Sequence, residues 1–260
     1  MVAQPGSGHS TTDRDFPDLC VAEGMLGPAR WCVSSRSGGV SVDAFSGANL
    51  GAHVGDEPTS VASNRAAFAH SLGATVGLAA IRAEHGARVR QVDEPGDVDN
   101  VDALITSHKG LGLLALGADC AVVGLHGTRS DGTSLIAVAH CGWQGIVADV
   151  LGAVVGDLHE RGAQAIEAIV GPAICGSCYR VSGDRCEEVR RSSLPEVAQA
   201  TVVEDGQGFG LDIAAGAFTR LASLDVDVAS LGICTYEDDR FFSYRRSGVT
   251  GRHGLGMVIV

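Results

Sequence analysis

Short apolar runs set between glycines and polar turns dominate the middle of this chain. Residues 76–81, 101–106, 111–116, 121–125 and 135–139 are each apolar or small over lengths that suit buried strands better than helices. Ahead of them, residues 40–45 (Val-Ser-Val-Asp-Ala-Phe) alternate as a half-buried strand does, then give way to a polar, glycine-containing loop over 49–56. Pro58 suits the first turn of a helix running to about Leu72, where Gly73 supplies a stop signal. A longer helical stretch covers roughly 146–161, followed by a strand at 165–170. A helix near 211–224, a strand near 228–233 and a last strand at 257–260 complete the reading. Strands and helices alternate without strict βαβ regularity. This predicts a single α/β domain (mixed α+β) with a mixed β-sheet and helices packed on its outer faces. No repeat or linker-like stretch divides it. Residues 1–20, polar and rich in Gly, Ser, Thr and Asp, are expected to form a flexible tail, and 21–260 the domain.

Composition narrows the function. At 260 residues, 45% hydrophobic and 19% charged, the chain is too apolar for a disordered protein and ample for a sizeable core. A net charge of −12 argues against a nucleic-acid or anionic-membrane partner, since both need a cationic footprint. Lys109 is the only lysine, so a Schiff-base or P-loop lysine elsewhere is excluded. No apolar run approaches the ~18 residues of a membrane span. The N-terminus lacks a signal-peptide stretch, which makes the cytoplasm the default. The eight cysteines are irregularly spread, and reduced thiols are the better expectation than extracellular stapling.

The residues that carry chemistry are His85, Cys120 and His140, each where a predicted strand meets a loop. Imidazole and thiolate suit Zn²⁺, and three protein ligands leave a fourth position for water or substrate. Separately packed His and Cys side chains are the alternative. Asp119, beside the candidate thiolate, is a candidate acid/base or ligand-orienting group, or else a capping aspartate. Asn49, Arg65, Arg245 and Arg246 are candidates for a polar substrate wall, because guanidinium forks match phosphate oxygens; otherwise they are salt-bridge partners. Cys175-x-x-Cys178 has redox or zinc-knuckle spacing without a second pair, and reads as packing near a turn. Nothing marks Cys141 as a nucleophile.

A series of motifs carries a family resemblance. In order they are Asn49-Leu50-Gly51-x-His53-Val54-Gly55-Asp56 with Asn64-Arg65, Asp102-Ala103-Leu104-Ile105-Thr106, Ala118-Asp119-Cys120, and His140-Cys141-Gly142-Trp143-x-Gly145. Gly171-Pro172-Ala173-Ile174 before Tyr179, Leu211-Asp212, Cys234-Thr235, and Phe242-Ser243-Tyr244-Arg245-Arg246 with Gly251-Arg252 follow. Over about residues 40–260 the chain closely resembles the laccase-domain, or multicopper polyphenol oxidase, family. The resemblance implies a zinc-dependent purine nucleoside phosphorylase with adenosine deaminase activity, acting on a purine nucleoside and phosphate. It also implies one zinc held by a His, a Cys and a second His, here His85, Cys120 and His140. Ala83-Glu84-His85-Gly86 aligns with the family's Gln-Val-His-Gly, in preference to the nearby Gln91-Val92-Asp93. Gln144 stands where the family has Arg after Trp, which bears on phosphate binding. In deamination, Asp119 or Glu84 would relay protons. Rival readings are a cytoplasmic peptidoglycan-precursor editing hydrolase, a copper-dependent polyphenol oxidase and a non-enzymatic zinc module. Nine histidines with no His-x-His pair argue against the multicopper chemistry, leaving copper only as an occupant of the His/Cys site. A monomer or small homo-oligomer is expected.

Overall fold

Alternation along the central strands decides the layering. In β9 (Ser134–Cys141), Leu135, Ala137, Ala139 and Cys141 pack toward helices, whereas Ile136 and Val138 pack toward another sheet. A strand buried on both faces needs cover on both. The computed structural model, which describes residues 19–260, provides it with two six-stranded sheets face to face. The first runs edge to edge as β1 (Cys20–Leu26), β2 (Ala29–Ser34), β15 (His253–Ile259), β7 (Leu111–Gly117), β3 (Gly77–Arg82) and β5 (Gly96–Asp99). The second runs β14 (Asp227–Ser230), β10 (Ala163–Val170), β8 (Ala121–Arg129), β9, β6 (Ala103–Thr106) and β4 (Val89–Gln91). Both are mixed: β3 is parallel to β5 and β7, β4 to β6, and β10 to β14, while the other pairings are antiparallel. A three-stranded sheet, β11 (Arg180–Val181), β13 (Gly208–Leu211) and β12 (Val202–Asp205), stands apart.

Helices cover the outer faces. α1 (Pro58–Leu72) lays Phe68 and Leu72 on the first sheet, with Pro58 in its first turn and Gly73 closing it at φ 82°. On the second sheet lie α2 (Trp143–Val147), α3 (Val150–Glu160), α4 (Gly183–Ser192), α5 (Pro195–Thr201) and α6 (Ile213–Ala222). A short α7 (Tyr244–Ser247) precedes β15. The mixed α/β class with outer helices is the one expected; the single sheet divides into two. None of the described helices is long and apolar enough to cross a membrane.

Several expectations are corrected. The alternating segment 40–45 is not a strand but a loop with a 3₁₀ turn at Asp43–Phe45. Its alternation is inverted: Val40 and Val42 are exposed, and Ser41 is buried, donating to Asp56 and accepting from Asn64. The stretch 146–161 is two helices, because Asp149 adopts φ 57°, caps α3 at Gly152 N–H and accepts from Arg220 Nε and Nη2, both at 2.7 Å. Leu211 ends β13, and Asp212 caps α6 by accepting from Ala215 N–H. Cys20 and Cys32 are joined in a disulfide across β1 and β2, against the expectation of reduced thiols throughout; the antiparallel pairing brings their Cα atoms to 5.6 Å. The expected tail lies outside the described residues up to position 18, while Leu19 is buried and Cys20 opens β1.

His253 offers a test of the packed interior. It opens β15, fully buried and edge-on to Phe241 at 5.2 Å. Burial, and then the charge of Arg252, push its proton affinity down to about 3. The unfolded chain takes up this proton near pH 6.5, so the native state holds its full advantage above that value and loses it as pH falls toward 3. The slope is about 1.4 kcal/mol per pH unit. Urea unfolding at pH 7 and at pH 5 is expected to show a loss of about 2 kcal/mol that His253→Leu does not share. Equal pH slopes in the two proteins would refute it.

Candidate metal centre

Three chain segments meet at one end of the sheet sandwich. β8 pairs with β9 so that Ala121 opposes Cys141 and Val122 opposes His140, which sets Cys120, just before β8, beside the end of β9. Gly142 makes room: a Cβ there would lie 2.8 Å from Cys120 Sγ. The third segment is the loop after β3, which carries His85 at φ 64°, a left-handed conformation unusual outside glycine. Asp102 holds it there. The side-chain oxygens of this fully buried residue accept from His85 N–H and Gly86 N–H, both at 2.8 Å. Its backbone carbonyl accepts from His140 N–H at 2.8 Å, and its Oδ1 lies 3.4 Å from His140 Nδ1. The two imidazoles meet edge-on at 4.7 Å, and one ligand atom from each of His85, Cys120 and His140 falls within 4.8 Å of the others.

The electrostatics favour a bound cation. Burial alone would push the Cys120 thiol up, but the charge and hydrogen bonds of His140 and His85 outweigh it and bring it down to about 6. Burial likewise opposes the His140 imidazolium, yet the Cys120 thiolate and Asp102 carry it up to about 9. Burial also opposes the Asp102 carboxylate, which His140 and the two backbone N–H groups nevertheless hold below its ordinary range. Both shifts reflect the attraction between a thiolate and an imidazolium, and a bound cation would take the place of the proton they share. Nδ1 of His140 is turned to a carboxylate, the arrangement that leaves the opposite nitrogen for a metal. Two imidazoles and a thiolate fit a zinc-type ion with a fourth position open. Neighbouring Cys141 is pushed far up by burial and is inert as a nucleophile.

The trio opens into a cavity of about 650 Å³. Asp119, Gln144 and Arg245 line it, as do His53, Trp143, Tyr179, Arg185 and Arg252. Arg185 lies over the Trp143 ring at 4.8 Å and Arg245 over Tyr179 at 4.9 Å. Asp119, at φ 113°, spends both oxygens on the far wall, accepting from Thr235 Oγ1 at 2.8 Å and Arg245 N–H at 2.6 Å. Asn49, Arg65, Arg246 and Glu84 are not on the lining. Asn49 is buried and anchors Gly51, Asp56 and Arg252 N–H. Arg65 is spent on Leu50 O and Asp97, and Arg246 on Thr235 O and Tyr236 O. Glu84 faces Arg88 at 3.5 Å. Asp93 sits on an exposed turn after β4, away from the trio. Sequence reasoning missed Asp102 as a site residue. Its signal was a lone carboxylate at the head of an apolar strand. Tyr179 and Arg252 stood in the motif series without an assigned role, and Arg185 carried no signal.

Residues 30–260 match the family model described as multi-copper polyphenol oxidoreductase laccase. The chain belongs to this family. Among relatives of this laccase-type protein is the purine nucleoside phosphorylase of Streptomyces coelicolor, 40% identical over 232 residues that cover 86% of this chain and 93% of the relative. The purine nucleoside phosphorylase of Corynebacterium glutamicum is 36% identical over 233 residues, covering 86% and 92%. Of solved structures, YlmD from Geobacillus stearothermophilus superimposes with a TM-score of 0.81 at 27% identity, covering 94% of this chain and 99% of its own. The hypothetical protein YfiH of Bacillus licheniformis has the same fold, with a TM-score of 0.81 at 24% identity over 89% and 93%. 

Two variants separate the register of the first ligand from its alternative. His85→Ala is expected to lose bound metal by elemental analysis and Asp93→Ala to retain it; the reverse result would move the ligand. Asp102→Asn is expected to weaken metal affinity roughly 10- to 100-fold in a chelator competition, as partners of metal-ligating histidines do. Unchanged affinity would show that Asp102 serves the loop alone.

Proposed function

We propose that this laccase-type protein is a cytoplasmic, zinc-dependent purine nucleoside phosphorylase. One observation carries the reading: the His85–Cys120–His140 donor set opens into the same cavity as the guanidinium groups of Arg185, Arg245 and Arg252. A nucleoside and a phosphate need such a pairing of apolar faces with permanent cations. The names of the relatives support it.

Zn²⁺ bound by His85, Cys120 and His140 supplies Lewis-acid chemistry. The chain's own groups do the rest. In phosphorolysis a phosphate oxygen bonds to the ribose anomeric carbon as the bond to the purine nitrogen breaks and its electron pair leaves with the base. Arg185 and Arg245 supply fixed positive charge for the phosphate. Trp143 and Tyr179 offer flat faces to the purine and sugar. Burial, and then the Cys120 charge, keep the Tyr179 hydroxyl protonated, so it is a hydrogen-bond donor to the departing base. Asp119 positions the Arg245 segment, and Arg65 and Asn49 brace the loop beneath His53. Arg252, whose charge is opposed by burial, is turned toward the carbonyls of Thr250 and Gly251.

Metal-loaded protein given inosine is expected to release hypoxanthine and ribose 1-phosphate only when phosphate is present. Release at the same rate without phosphate would replace the reading with hydrolysis. Gln144 lines the cavity four residues beyond His140, and a neutral amide there lacks a charge-assisted bond worth roughly 1–2 kcal/mol. Gln144→Arg is therefore expected to lower the Michaelis constant for phosphate roughly five- to thirtyfold. Adenosine deamination in the same cavity would consume water in place of phosphate, and the substitution should leave it unchanged. A phosphate dependence that Gln144→Arg does not move would place the anion elsewhere in the cavity.

A further inference from the structure

A second group of metal-binding side chains lies behind the cavity wall, where two loops meet. One loop makes the turn Cys175-Gly176-Ser177-Cys178, in which Cys178 N–H and Tyr179 N–H both donate to Cys175 O, at 3.1 and 2.9 Å. The other carries Cys234 and Glu237 after β14. Backbone bonds stitch the loops together: Ala173 N–H donates to Ile233 O and Thr235 N–H to Ala173 O, each at 3.1 Å. Across this seam Cys175 N–H points at Cys234 Sγ at 3.4 Å, and the Cys178 thiol reaches Glu237 Oε1 at 3.4 Å. Three sulfurs and one carboxylate oxygen come within 4.8 Å of one another.

We propose that Cys175, Cys178, Cys234 and Glu237 form a second, structural Zn²⁺ site that clamps the two loops together. A tetrahedral ion with Zn–S bonds of about 2.3 Å needs sulfurs roughly 3.8 Å apart, so the set has to contract by less than ~1 Å. Four protein ligands close the coordination shell, the mark of a structural site, whereas the His85–Cys120–His140 set leaves a position open. Thiolates select zinc over harder cations, and the carboxylate favours a divalent ion over Cu⁺. The turn is built for its shape: a Cβ on Gly176 would come 2.4 Å from Val203 Cγ2. An arginine braces each loop from outside: Arg180, itself paired with Asp205, donates to Ser177 O at 2.9 Å, and Arg246 donates to Thr235 O at 2.8 Å. A disulfide between two of the sulfurs would instead strand the third thiol beside Glu237. The site replaces the expectation that Cys175 and Cys178 merely pack near a turn. It also gives the clamp a purpose, since Tyr179 follows Cys178 onto the cavity wall and Thr235 follows Cys234 to Asp119.

The test counts metal in the full-length protein, kept reduced, stripped with chelator and reloaded with Zn²⁺. Elemental analysis is expected to find two ions per chain in the wild type, one in Cys120→Ala and one in Cys178→Ala with Cys234→Ala. Cys120→Ala loaded with Co²⁺ should keep an intense thiolate-to-cobalt absorption that the further change Cys178→Ala removes. Should the Cys178 and Cys234 variants misfold, wild-type alkylation still decides: iodoacetamide should modify Cys175, Cys178 and Cys234 in stripped protein and lose that reaction when Zn²⁺ is restored. Zinc absent from folded Cys120→Ala, alkylation indifferent to Zn²⁺, or a Cys175–Cys178 disulfide under the same reducing conditions would each overturn the proposal.

Discussion

The Asp102 side chain is the constraint on which this molecule's chemistry depends. It is fully buried, and the groups that satisfy it are two backbone N–H donors and one imidazole, with no guanidinium or ammonium pairing among the described residues. Hydrogen bonds to a charged group contribute about 1.5–3 kcal/mol each, and a buried carboxylate deprived of them costs more than they return. The arrangement is therefore close to all-or-none. Through it the loop after β3, the head of β6 and the end of β9 become one rigid unit. His85 is held in a backbone conformation it would not choose, and the His140 ring is held in one orientation. A candidate metal centre assembled from three distant parts of the sequence thus gains its geometry from one carboxylate that does not belong to it.

Much of this was legible in the sequence, for reasons that differ from part to part. α1 is delimited by Pro58 and Gly73, whose backbone preferences act locally, and its bounds could be read directly. β6 to β9 are short apolar runs, and burial on both faces is what such runs mean. Elsewhere the deciding contacts were distant. Val40 and Val42 alternate like strand residues, yet Asn64 and Asp56 draw Ser41 inward and leave the valines outside. The period across 146–161 looks continuous, but Arg220, 71 residues beyond Asp149, fixes the break between α2 and α3. The two-sheet division was hidden for the same reason, because period and length reveal that a strand is buried but not against what.

At the site, residue chemistry selected His85, Cys120 and His140, and their order along the chain was informative only through resemblance. Guanidinium groups are harder to read. Arg65, Arg245 and Arg246 look alike as residues, yet of the three only Arg245 lines the cavity, while Arg65 turns to Leu50 O and Asp97 and Arg246 to Thr235 O and Tyr236 O. The family's copper-oxidase name is equally uninformative about this chain's donors. Among the described residues, the two groups able to hold an ion contain two imidazoles and one thiol, or three thiols and one carboxylate. Neither is a histidine-rich cluster of the kind that multicopper electron transfer requires.

The near-absence of lysine has a consequence for control. Lys109, the only side-chain ammonium in the chain, precedes β7, reaches Val260 O at 3.4 Å and lies at the opposite end of that strand from Leu116 and Gly117 on the cavity. Acetylation or any other lysine-directed modification therefore finds no group near the pocket on which to act. The cavity's permanent cations are arginines, charged at every pH a cell experiences. The pull these guanidinium groups exert on an anion is a fixed property of the fold, not open to erasure by an acyl group.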